Sequence, residues 1–216
     1  MIRALAVLLV LAGCAASPAR QSGPRIVTIE QAQLLSQVRF LNYDSGGARF
    51  DAEAPLPGGR VARISGSVDW RAHRAAGSLG TAGSSLGRAR IAWTPATLTV
   101  TPAGGRAATR ALAPRVSAVD TLLLLILQLA QSRPENPQLL IQQQASYVRA
   151  DRSGGVPVAV FRGPAAGKGR NAVAPGEQRT FYWVDADGRL RRFEAHIAGT
   201  AQAAWVTFRD WGPQKP

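Results

Sequence analysis

From residue 47 onward the apolar side chains of this chain fall on every second position, and most of them are small. Ala48, Phe50, Ala52 and Ala54 alternate with Arg49, Asp51 and Glu53. Ala62, Ile64, Gly66, Val68 and Trp70 alternate with Arg63, Ser65, Ser67 and Asp69. Ala89, Ile91 and Trp93 alternate with Arg88, Arg90 and Ala92, and Leu98 and Val100 sit between threonines. A period of two places one face of a strand in a core and the other in water, as in an antiparallel sheet. Pro57-Gly58-Gly59 and Gly104-Gly105 supply turns between these strands. A second set of strands is expected at 146–150, 156–162, 180–185, 189–197 and 204–210, with Asp187-Gly188 as a two-residue hairpin. Leu190 is out of phase with Phe193, Ala195 and Ile197, which requires a bulge between them.

Two stretches break this pattern with helical spacing. Thr28 opens a helix carrying Ile29, Ala32, Leu35 and Val38, ending near Asn42, with Gln31 placed to complete a capping box. Ser117 with Asp120 three residues later caps a helix over 117–130, in which Leu122 to Leu127 is unbroken Leu and Ile. A helix apolar on every side is buried on every side, and this one is too short to span a membrane, which takes about 20 residues. Arg133-Pro134-Glu135-Asn136-Pro137 ends it, and a short helix through Leu139, Leu140 and Ile141 follows. Neither an internal repeat nor a second domain is apparent. The fold class is α+β: many antiparallel strands in a curved sheet wrapped around a few helices.

The address is written at the start of the chain. Met1-Ile2-Arg3 is basic, Ala4 to Val10 is apolar, and Leu11-Ala12-Gly13-Cys14 follows, the order of a secretory signal. Residues 1–13 are expected to be removed and 14–25 to form a polar tether, leaving 26–216 as one domain. Cys14 is the only cysteine, so that domain has no disulfide of its own. The formal charge of +13, carried mostly by arginine, favours an anionic neighbour such as phospholipid headgroups or a wall polymer. Nucleic acid is disfavoured, because no basic helix or recognition motif accompanies the charge.

Motifs that carry chemistry fail in detail. Gly83-Ser84-Ser85-Leu86-Gly87 matches the nucleophile-elbow pattern, and Asp187 and His196 follow in hydrolase order. The elbow needs a buried strand before the serine and a helix after it; here a small-residue turn precedes a strand, and Ser85 is expected to be dispensable. Gly163 to Gly169 falls short of a phosphate loop, since Gly169 stands where Ser or Thr would bind magnesium; residues 163–178 read as a long loop. His73 and His196 are the only histidines, which speaks against a zinc site. No cofactor and no enzymatic activity are expected. Arg49, Arg60, Arg63, Arg88 and Arg90 lie on the wet positions, where they form either an ordinary solvated face or an anion-binding surface. Trp70, Trp93, Trp183, Trp205 and Trp211 are read first as packing residues.

The Leu-Ala-Gly-Cys ending resembles the lipobox of bacterial lipoproteins, in which the cysteine sulfur receives a diacylglycerol carrying acyl chains such as palmitate and becomes the first mature residue. The order of elements looks like the LolA-like superfamily, closest to the actinobacterial envelope lipoproteins of the LppX and LprG type. The leading helix 28–42, the strands of 47–101, the apolar helix 117–130 and the hairpin from Phe181 to Phe193 carry that resemblance. So do the strings Asn42-Tyr43, Val68-Asp69-Trp70-Arg71 and Arg133-Pro134-Glu135-Asn136-Pro137. It implies a half-barrel of antiparallel strands over helices, anchored through lipidated Cys14 at the extracytoplasmic face of the cell membrane. It also implies a lipid, glycolipid or other amphiphile held between sheet and helices. The small inward residues either leave room for such a cavity, with Ala62, Ile64, Ala89 and Ile91 as one wall and Leu123, Leu124 and Ile126 as the other, or let the sheet sit closer to the apolar helix. The alternative is an anchored interaction or sensor module that docks an anionic wall polymer or a protein partner through the arginine face.

Overall fold

Thr28 caps the first helix through both halves of the expected box. Its hydroxyl accepts from the Gln31 N–H at 3.3 Å, and the Gln31 side chain accepts from the Thr28 N–H at 3.1 Å. The computed structural model describes residues 23–83, 87–114, 116–165, 180–197 and 202–216; Cys14, the signal segment, Ser85 and most of the 163–178 loop lie outside them. Helix α1 (Ile29–Ser45) runs to Gly46, which ends it with a left-handed φ of 83°. That end lies almost a turn beyond Asn42.

The strands form two meanders. The first comprises β2 (Gly47–Pro55), β3 (Val61–Asp69), β4 (Arg74–Thr81), β5 (Ala89–Trp93), β6 (Thr97–Thr101) and β7 (Ala108–Ala111). The second comprises β8 (Ser146–Ser153), β9 (Val156–Arg162), β10 (Thr180–Val184), β11 (Leu190–Ala195) and β12 (Ala204–Arg209). Between them the chain inserts α2 (Ala118–Gln128) and α3 (Pro137–Gln142). β12 pairs with β2 and fuses the two meanders, and the short β1 (Arg25–Ile26) pairs with β8. The result, among the described residues, is one open antiparallel sheet of 12 strands, in the order β1-β8-β9-β10-β11-β12-β2-β3-β4-β5-β6-β7, curved around the helices. The expected α+β class and curved antiparallel architecture are what the chain adopts.

Three strands are not announced by the alternation: the short β1, the edge strand β7 and, in the middle of the first meander, β4. Its sequence, Arg-Ala-Ala-Gly-Ser-Leu-Gly-Thr, is poor in β-branched and aromatic residues. The glycines have a tertiary reason. Gly66 of β3 faces Gly77 of β4, and a Cβ on Gly66 would strike the Ala76 carbonyl and lie 2.8 Å from the Gly77 Cα. The two strands approach too closely there for any side chain. The bulge expected near Leu190 is present, as a register shift between Trp183↔Arg192 and Val184↔Leu190. The hairpin loop is five residues rather than two. Asp185 builds it, its carboxylate accepting from the N–H groups of Asp187 and Arg189 and from the Arg191 side chain.

Helix α2 crosses the first meander and is tied down at every third residue. The Arg110 guanidinium of β7 donates twice to Asp120, both bonds at 2.6 Å. The Trp93 indole at the end of β5 donates to the Leu123 carbonyl at 3.0 Å, and the Trp70 indole just after β3 donates to the Ile126 carbonyl at 2.9 Å. Asn42 of α1 donates to the Leu129 carbonyl at 2.7 Å. A helix apolar all round has no polar side to set its rotation; these four donors set it. No helix among the described residues is long and apolar enough to cross a membrane.

Candidate functional site

The seven residues expected to line a cavity divide six to one. Ala62, Ile64, Ile91, Leu123, Leu124 and Ile126 are all buried in one continuous core beneath α2, whereas Ala89 is half-buried at the start of β5. None of the seven borders any of three cavities that described residues line. Ala62 and the inner face of β2 and β3 share one buried core with α2, whose carbonyls accept from the indoles of Trp70 and Trp93. Ala62 is only 2% exposed and faces Ala54 across the β2–β3 pair. We expect Ala62→Phe to overpack this layer at a cost of roughly 1–3 kcal/mol, with a smaller effect from Ala89→Phe. Thermal unfolding checks this: unchanged melting in both variants would reveal free volume behind the sheet.

A narrow opening between sheet and helices lies where α1 and α3 rest on the second meander. Leu35 and Val38 of α1, Leu140 of α3, Pro164 and Tyr182 of β10 enclose a slot of about 10 Å³, room for one water molecule. Arg39 and Glu135 also line the slot and form an ion pair 3.2 Å apart, each about 30% exposed. Arg39 further donates to the Gln128 carbonyl at 3.0 and 2.7 Å through Nε and Nη2. Tyr182 stacks edge-on to Phe193 at 5.1 Å. Burial, reinforced by the charge of Glu135, pushes its hydroxyl up to about 12. The slot is thus apolar along its length and charged at one side, with a phenol that stays protonated at any physiological pH.

The remaining candidates occupy separate places. Arg49, Arg60, Arg63, Arg88 and Arg90 are all exposed or half-exposed on or beside the outer face of β2, β3 and β5. Arg63 pairs with Glu53 at 2.9 Å, which withdraws one of them from a free basic row. His196 is exposed just after β11, 3.8 Å from Glu194, and Asp187 is an exposed turn residue. Ser85 falls outside the described residues. No group of three His, Cys, Asp or Glu among the described residues could hold a metal.

No protein-family model matches the chain, and no curated protein matches it either. Among solved structures it is similar to a LolA superfamily protein of Nitrosomonas europaea. That likeness has 11% identity and a TM-score of 0.29, over 88% of this chain and 96% of the other.

Proposed function

We propose that this chain is an envelope lipoprotein whose domain takes up an amphiphile between sheet and helices. In this reading Cys14 is the first mature residue, and its acyl chains hold the domain at the extracytoplasmic face of the cell membrane. The LppX/LprG type of the LolA-like superfamily is the architecture to which we assign it. The observation that carries the uptake is the slot between α1, α3 and β10. Its wall of Leu35, Val38, Leu140 and Pro164 suits an acyl chain, and the Arg39–Glu135 pair beside it suits a polar head. At its present volume the slot is closed, so uptake requires α1 and α3 to lift from β10. Lifting α1 and α3 together keeps the Arg39–Glu135 pair but uncovers Leu35, Val38 and Leu140, so the acyl chain has to replace their contacts with β10, each methylene it buries contributing about 0.8 kcal/mol.

Native mass spectrometry of the protein purified from its own envelope tests the uptake. The expected result is an additional lipid mass on the folded domain; lipid-free protein from every preparation would overturn it. The anchor is tested separately. Cys14→Ser removes the sulfur that would carry the diacylglycerol, so it should block lipidation and leave the signal uncut or the protein mislocalised, since without its acyl chains the domain has no stable anchor. Normal processing and membrane retention of that variant would refute the anchor alone.

A further inference from the structure

The largest of the three cavities lies on the sheet face turned away from the helices. Along β10 the side chains alternate, Tyr182 and Val184 inward and Phe181 and Trp183 outward. Register then brings Trp183 beside Arg192, and Glu194 beside Trp205. The groove measures about 440 Å³ and is lined by Arg149, Asp151, Arg152, Trp183, Arg192 and Glu194, with the hydroxyls of Ser153 and Thr207 beside them. That volume lies within the range of about 300–1,000 Å³ usual for small-molecule sites.

Its polar groups are held in place before any ligand arrives. The Arg192 guanidinium lies between two indoles, 5.2 Å from the ring centre of Trp183 and 4.9 Å from that of Trp205. Aromatic faces on either side fix its plane, and its Nη2 donates to Glu194 at 3.2 Å. Asp151 accepts from the Trp183 indole at 3.1 Å, from Arg149 at 3.0 Å and from the Arg152 N–H at 2.8 Å. These bonds, the indole's first, hold its carboxyl below the usual carboxylate range. Arg152 itself donates to the Gly155 carbonyl at 2.7 Å. Among the described residues no carboxylate forms an ion pair with it.

We propose that this groove binds an acidic sugar residue of a glycan, a hydroxyl-rich ring that carries a carboxylate. Five ionised side chains exclude an acyl chain, since burying them against hydrocarbon would leave charges uncompensated. Two carboxylates in the lining repel a phosphate dianion, yet they are ideal acceptors for sugar hydroxyls. Three arginines against two acids leave one net positive charge, matched by one ligand carboxylate. Arg152, bonded through Nη1 to the Gly155 carbonyl and in no ion pair among the described residues, meets that carboxylate without breaking an existing ion pair. Ser153 and Thr207 supply further hydroxyl partners. The site gives an acidic envelope polymer a place to dock that is distinct from the arginines of β2, β3 and β5. It lies on the opposite face from the slot, so it neither needs nor excludes a bound amphiphile.

The test is a titration of the ¹⁵N-labelled domain with a glucuronate-containing hexasaccharide from hyaluronan, followed at the Trp183 indole N–H. Saturable shifts of that resonance are expected, with the neutral hexasaccharide of cellulose binding about tenfold more weakly or worse. Inorganic phosphate at the same concentration should not compete. Arg152→Gln should weaken binding about tenfold, whereas Arg49→Gln, on the same face outside the groove, should not. If Arg152→Gln melts early because its turn bond to Gly155 is lost, Arg149→Gln provides the same comparison. Absence of saturable binding by the acidic hexasaccharide overturns the proposal. So does equal binding of the neutral sugar, competition by phosphate, or equal weakening by the groove variant and Arg49→Gln.

Discussion

Replacing Trp70 with alanine is expected to cost about 3–5 kcal/mol, against a total of about 5–15 kcal/mol for a typical domain. Trp70 is fully buried and ends a row of four rings that runs beneath α2. It lies 5.5 Å from Phe208, which lies 6.5 Å from Phe50, which lies 6.1 Å from Trp93. The outer two rings of that row also hold α2 through its Ile126 and Leu123 carbonyls. Alanine would open a cavity under the helix and remove one of the donors that fix its rotation. Urea unfolding should show a much lower midpoint at an unchanged slope. Trp70→Phe keeps most of the volume and loses the N–H, so its cost should be about 0.5–1.5 kcal/mol. If Trp70→Ala proves as stable as the parent, the ring row does not hold α2 in place.

Much of this architecture is legible residue by residue. The alternation from Ala48 to Ala54 and from Ala62 to Trp70 is reproduced in the burial of β2 and β3. Ser117 with Asp120 and Thr28 with Gln31 are real caps, because a cap needs only local geometry. The phase slip at Leu190 is a real bulge for the same reason. β4 was hidden because its glycines answer to β3, and no local pattern expresses a close approach between two backbones. The tryptophan positions showed that Trp70 and Trp93 point inward, but not that their N–H groups meet a helix more than 25 residues away in sequence. The slot was hidden for a similar reason. Leu35, Leu140, Pro164 and Tyr182 come from four separate stretches, and no pattern within any one of them says that they meet. The outer groove was hidden as well. The hairpin loop is five residues rather than two, and Trp183 faces Arg192 only through the register shift beyond Val184↔Leu190. The second indole, Trp205, needed the β11–β12 register, which no turn motif announces.

Arg110→Met should also destabilise the domain strongly, and the loss should depend on pH in a stated direction. Asp120 is 0% exposed, while its partner Arg110 is 49% exposed. Two hydrogen bonds from Arg110 hold the Asp120 carboxyl below the usual range, against the opposing effect of burial, with Ser117 assisting. A carboxylate whose folded pKa is depressed contributes stability that is complete above its unfolded pKa, near 3.9. That stability is lost as pH falls through the lower folded value. The parent should therefore keep this increment down to about pH 4 and lose it only in stronger acid. Methionine preserves the stem of Arg110 and removes its charge, leaving a buried carboxylate supported by Ser117, the Ala113 backbone and the helix N-terminus. Breaking a buried pair in this way costs about 3–5 kcal/mol, and the exposure of Arg110 puts the expectation at the lower end. With its largest lowering cause gone, burial opposes only the remaining hydrogen bonds, and the Asp120 pKa moves up from its value in the parent. The variant's deficit should be greatest at neutral pH and shrink as acid protonates the stranded carboxyl. Asp120→Asn leaves only a half-exposed cation, which water can solvate, and should cost less than Arg110→Met. Combining the two should restore part of the stability lost in Arg110→Met alone, a coupling that a double-mutant cycle reads directly. A deficit that is flat from pH 7 to pH 4 and unrelieved by Asp120→Asn would assign the loss to packing of the Arg110 stem.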